Sequence, residues 1–111
     1  MAQSDFGTDH LNGKARGLAN AIVRWLTARN GQAPYGGGCR AFYSAKEWRE
    51  RGEDYGTTGV LVLVHDGGDL APYCSWDYCQ YAAMDDFRSF LEGRGYYVEQ
   101  CTSWYSAIYP I

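Results

Sequence analysis

The longest uninterrupted apolar run is Val60-Leu61-Val62-Leu63-Val64. Five consecutive apolar residues, three of them β-branched, predict a strand buried on both faces. A one-sided strand would alternate with polar residues, and a helix would need more length. His65 follows, then Asp66-Gly67-Gly68-Asp69, whose glycines supply the positive-φ positions that a sharp reversal needs.

A different period precedes this strand. Leu11, Ala15, Leu18, Ile22 and Leu26 step by four, three, four and four, which puts them on one stripe of a helix over residues 11–30. Ala19, Val23 and Trp25 widen the stripe, and Asn30-Gly31 supplies a stop. Residues 32–38 contain Pro34 and three glycines and read as a loop. The segment lacks the flanking strand, following helix and Lys-Ser/Thr of a phosphate loop. Residues 40–43 read as a short strand. Ser44 and Glu47 then make a capping box for a short helix anchored by Trp48 and ending near residues 51–52.

Beyond the central strand, residues 70–73 suggest a second strand paired with it across the turn at 66–69, confined to an edge by Pro72. Ser75 offers another cap. Ala82, Ala83, Met84, Phe87, Phe90 and Leu91 define the inner stripe of a helix ending at Gly93. Residues 96–101 and 104–109 alternate around Thr102-Ser103 as an antiparallel hairpin, with Trp104, Ser106 and Ile108 on one face and Tyr105, Ala107 and Tyr109 on the other. The sum is a single α+β domain over 10–111 after a flexible terminus at 1–9. Its sheet is mainly antiparallel with about four to five short strands, alongside two longer helices and one short one.

Composition sharpens this picture in three places. No apolar run approaches the roughly 18 residues of a membrane helix, and residues 1–5 lack the basic start and apolar stretch of a signal peptide. The expected compartment is therefore the cytosol, with Cys39, Cys74, Cys79 and Cys101 as reduced, packed thiols. Ten Tyr and four Trp are more ring than one small core can hide, so some belong on the surface, where interfaces favour them. Charge is divided as well. Residues 1–52 carry eight Lys or Arg against four Asp or Glu, whereas residues 53–111 carry two against nine. The halves can neutralise one another or present opposite signs to partners.

Candidate chemistry is sparse. Cys74 and Cys79 make only one closely spaced pair, and His10 and His65 stand apart, which falls short of a zinc site. His65, Asp66 and Asp69 could ligate a hard cation, but the same residues are what a turn contains. A cysteine with His65 and Asp66 could form a small thiol hydrolase. Neighbouring strand residues point apart, however, so the dyad is unnatural. The reading is no enzyme and no cofactor. Nucleic-acid binding through Arg40, Lys46, Arg49 and Arg51 is the alternative. Against it stand a linker over residues 30–44 too long for a helix-turn-helix and an acidic balance overall, −3 in net charge. The acidic half instead interleaves carboxylates with rings. Asp77, Tyr78, Tyr81, Asp85, Asp86, Tyr96 and Tyr97 are the candidate partner-binding residues, the acids steering a basic partner and the rings supplying area.

Phe42-Tyr43-Ser44-Ala45-Lys46-Glu47-Trp48, Arg51-Gly52-Glu53, Leu63-Val64-His65-Asp66-Gly67-Gly68 and the ending Cys101-Thr102-Ser103-Trp104-Tyr105-Ser106-Ala107-Ile108-Tyr109 resemble small uncharacterised proteins of phages and mobile elements. The resemblance implies a setting in which compact accessory proteins inhibit host defence complexes, anti-CRISPR proteins among them, by occluding a surface. It assigns no activity to any residue. The expected partner is thus a host protein or protein–nucleic acid complex, with no membrane.

Overall fold

The computed structural model describes residues 5–36, 38 and 40–111. In order they form α1 (Gly13–Asn30), β1 (Phe42–Tyr43), α2 (Ala45–Glu50), β2 (Leu61–Val64), α3 (Ala71–Cys74), a 3-10 turn (Trp76–Tyr78), α4 (Tyr81–Glu92), β3 (Tyr96–Gln100) and β4 (Tyr105–Pro110). The strands make one antiparallel sheet in the order β1-β2-β4-β3, an α+β fold. No helix among the described residues is long and apolar enough to cross a membrane.

β2 lies inside the sheet and is buried throughout, as its unbroken apolar run requires. Its alternate side chains serve two separate cores. Leu61 and Leu63 join Phe42 and Ile108 against Leu18, Ile22 and Leu26 of α1 and Phe87 and Leu91 of α4. Val62 and Val64 point the other way, to Trp48 of α2 and Tyr105 of β4. At about 1.5–3 kcal/mol for each fully buried large side chain, this shared strand ties the two layers together.

Local signals place the helices. Ser44 Oγ accepts from the Glu47 amide at 3.1 Å and Glu47 Oε1 in turn accepts from the Ser44 amide at 3.0 Å, the expected capping box. α1 stops where Gly31 takes φ +72°. The hairpin turns where expected, with Cys101 and Thr102 amides both donating to the Tyr105 carbonyl at 3.1 Å.

Five expectations change. Residues 70–73 are not a strand: Ala71–Cys74 is helical, with Pro72 in its first turn, where the missing N–H leaves no bond unmade. The second neighbour of β2 is β4, from the far end of the chain. The terminus is not free from residue 5 onward, because Phe6 is buried edge-on to Phe42 at 5.5 Å and the Asp5 carbonyl accepts from the Ala41 amide at 2.8 Å. Ala82 faces solvent rather than the inner stripe of α4. Trp104 packs with Trp48 and Tyr105 on the α2 side, because it precedes β4 and escapes that strand's alternation.

Candidate protein-interaction face

A backbone reversal builds the face. After α3, the Ser75 side chain accepts from the Asp77 amide at 3.3 Å and starts the 3-10 turn. Cys79 then takes φ +53°, the one positive φ outside glycine among the described residues, and redirects the chain into α4. Gln100 of β3 clamps the reversal from below: its Oε1 accepts from the Trp76 amide at 3.0 Å, and its Nε2 donates to Thr102 O at 3.1 Å and Ser75 Oγ at 3.4 Å.

The reversal leaves Trp76 and Tyr81 on either side of it, ring centroids 5.8 Å apart. Trp76 is 59% exposed, Tyr81 55% and Tyr78 45%, so three large rings within six residues face water. Trp76 and Tyr81 wall a cleft of about 190 Å³ whose apolar lining is Tyr73, Cys74, Met84 and Val98 and whose polar lining is Asp85, Arg88 and Gln100. The neighbouring Cys79 thiol pushes the Tyr81 hydroxyl above the usual tyrosine range.

The predicted partner-binding residues divide. Asp77, Tyr78, Tyr81 and Asp85 belong to this face. Asp85 accepts from Arg88 at 2.6 Å, and Arg88 also approaches Glu92 at 3.8 Å. Asp86 turns away to pair with Arg29 of α1 at 3.3 Å, a contact that joins the basic and acidic halves. Tyr96 and Tyr97 lie on opposite sides of the sheet. Tyr96 packs on the main core, and Tyr97 stacks on Tyr109 at 5.5 Å. Trp76 is one of the rings interleaved with acids in this half of the sequence but not one of the candidate binding residues, and its place just after a capping serine leaves it exposed.

The basic alternative is largely engaged within the protein. Arg40 pairs with Glu47 and lies 4.0 Å over the Tyr43 ring. Arg49 donates to the Thr57 carbonyl at 2.6 Å. Arg51 reaches Glu53 at 3.4 Å and covers Trp48 at 4.7 Å. Lys46 is exposed. Glu47 and Glu50 share the cleft lined by Arg40 and Arg51, which places carboxylates where a phosphate would sit.

The remaining candidates do not converge. His65 Nε2 lies 2.9 Å from Ser106 Oγ rather than at a thiol, and burial pushes its pKa down to about 4 against the opposing pull of Asp66. Asp66 is exposed. Asp69 accepts from the Tyr35 amide at 2.7 Å and from Asn30 at 3.2 Å, fastening the loop after α1. Among the described residues, no three His, Cys, Asp or Glu side chains gather as a metal site would need. Cys74 is buried, which raises its thiol pKa, whereas Cys79 is exposed. Cys39 lies outside the described residues.

Comparison with family models, curated proteins and solved structures finds no match for this chain.

Proposed function

We propose that this protein is a non-catalytic protein-binding module whose working face is Trp76, Tyr78 and Tyr81 with Asp77 and Asp85. The observation that carries the reading is the exposure of three large rings, 59%, 45% and 55%, around one backbone reversal. Rings of this kind are the residues that protein interfaces recruit, because they bury much area while losing few rotamers. The adjoining carboxylates favour a basic partner and speed its approach. An inhibitor that occludes a host defence complex is the form this module takes if the resemblance to phage accessory proteins holds.

The test is differential binding. A bacterial protein captured on the immobilised chain, identified by mass spectrometry and purified, is titrated against variants. Trp76→Ala and Tyr81→Ala should each weaken the complex about thirtyfold, the loss that a hot spot of ~2 kcal/mol produces. Lys46→Glu with Arg49→Glu should leave it unchanged. The reverse pattern, or salt-sensitive binding of duplex DNA by the free protein, would move the function to the basic half.

A further inference from the structure

The two edges of the sheet are treated differently. β1 is only two residues long, the Phe42 carbonyl is taken by His10 Nε2 at 2.8 Å, and the Ala41 amide beside it is taken by Asp5. Short length and local covering are the usual ways to keep an edge from pairing with another chain. β3 has neither. It runs for five residues, has β4 as its one neighbour, and contains no proline or lysine.

Its free main-chain groups can be assigned. The Ile111 amide donates to Gly95 O at 2.9 Å and the Cys101 amide to Tyr105 O at 3.1 Å, so residues 95, 97, 99 and 101 direct their amides and carbonyls toward β4. Tyr96, Val98 and Gln100 direct theirs outward, and no partner for these groups exists among the described residues. Val98 and Gln100 also line the cleft walled by Trp76 and Tyr81. A row of unpaired backbone groups therefore runs beside a cleft sized for one large apolar side chain, well below the ~300 Å³ at which drug-sized ligand sites begin.

We infer that β3 is the site at which an extended, basic segment of the partner adds as a fifth strand, placing one apolar side chain in the cleft; this rests on the protein-binding reading above. Main-chain bonds to Tyr96, Val98 and Gln100 hold the segment, and the cleft selects its side chain. Charge chooses the occupant. Asp85 at the cleft and Glu92 further along α4 share one cation, Arg88, and Glu99 projects from the opposite face of β3 along the same edge, so acids outnumber bases on both sides of an added strand. A second copy of this chain would set two such acidic rows together, whereas a lysine- or arginine-bearing segment neutralises them.

The experiment selects binders to the full chain from a displayed library of short random peptides, then follows amide hydrogen exchange with and without the synthesised peptide. Without peptide, the Tyr96, Val98 and Gln100 amides should exchange faster than those of Tyr97 and Glu99. With it, the three outward amides should slow by about tenfold or more, equivalent to ~1.4 kcal/mol. N-methylation of alternate peptide residues should abolish binding in one phase and spare it in the other, because only every second residue faces β3. A peptide that binds and needs Trp76 but protects no β3 amide overturns strand addition and leaves the protein-binding face standing. Failure to select any peptide, or binding indifferent to N-methylation, also overturns strand addition. Binding that ignores Trp76 and Tyr81 while protecting the β3 amides contradicts the proposed face and keeps the edge as the docking site. A shift to dimers that protects the same amides without peptide would assign the edge to self-association and overturn the basic-segment proposal.

Discussion

His65 and Ser106 form a buried pair, the imidazole Nε2 2.9 Å from the hydroxyl oxygen, with the two residues 1% and 0% exposed. His65 follows β2 and Ser106 lies in β4, so the pair closes the end of the central strand pairing. Burial lowers the pKa of the imidazole from its ordinary 6.5 to about 4. Between those values the unfolded chain binds a proton that the folded chain does not. Stability from this group is therefore complete above pH 6.5 and is lost as the pH falls toward 4. The expected loss is up to about 3 kcal/mol, at 1.36 kcal/mol per pKa unit. Urea melts across this window should show the decline, and His65→Gln should flatten it. An unchanged pH slope in that variant would refute the assignment.

Glu47 contributes with the same sign at lower pH. Burial alone would raise its carboxyl, but the Ser44 amide and the Arg40 guanidinium outweigh this and hold it below the ordinary 4.5. Its contribution is present above 4.5 and fades as the pH falls through its lowered value. Ser44→Ala removes one arm of the capping box and should lower stability by about 1 kcal/mol. A thermal melt that does not shift would show that Trp48 packing alone holds α2.

Gly59 sits where a side chain would meet backbone. A Cβ there would stand 2.7 Å from the Ile108 carbonyl oxygen, which is already fixed by a bond from the Val60 amide at 2.7 Å. Gly59→Ala should destabilise by about 1–3 kcal/mol, the range of overpacking. Calorimetry giving a wild-type Tm would contradict this close approach.

Sequence pattern carried the elements whose causes are local: the Ser44–Glu47 box, the doubly buried β2 and the final hairpin. It failed at residues 70–73 because Pro72 suits the first turn of a helix as well as a strand edge, and nothing local says that β2 pairs with β4 instead. Phe6 was lost for a similar reason, since one apolar residue in a polar stretch has no period. At the candidate site, Asp85–Arg88 spacing is a helical i,i+3 pair that pattern can supply. Asp86–Arg29 joins residues far apart in sequence and is visible only in the fold. Strand alternation alone would have separated Tyr96 from Tyr97.

The thiols should differ in reactivity. Cys79 is exposed, while Cys74 is buried with its thiol pKa raised. Alkylation followed by peptide mapping should modify Cys79 within the native state and Cys74 only on unfolding. Equal labelling of both in the native protein would contradict the packing around α3.

Reversing Asp85 and Asp86 to lysine breaks two solvent-facing ion pairs, with Arg88 and Arg29, which should lower stability by no more than about 1 kcal/mol for each pair. Association with a basic partner should nonetheless slow, most strongly at low salt. Stopped-flow association rates insensitive to both substitutions would remove electrostatic steering from the account.

The most direct measurement is hydroxyl-radical footprinting of the complex, because the chain carries its own controls. Tyr35 and Tyr55, at 63% and 60% exposed, are as open as Trp76 and Tyr81 but are anchored elsewhere, Tyr35 through its amide to Asp69 and Tyr55 through its carbonyl to the Tyr105 hydroxyl. Partner binding should protect Trp76, Tyr78 and Tyr81 while Tyr35 and Tyr55 continue to react at the rate of the free protein. Protection of Tyr35 or Tyr55 with Trp76 and Tyr81 unchanged would contradict the proposed face.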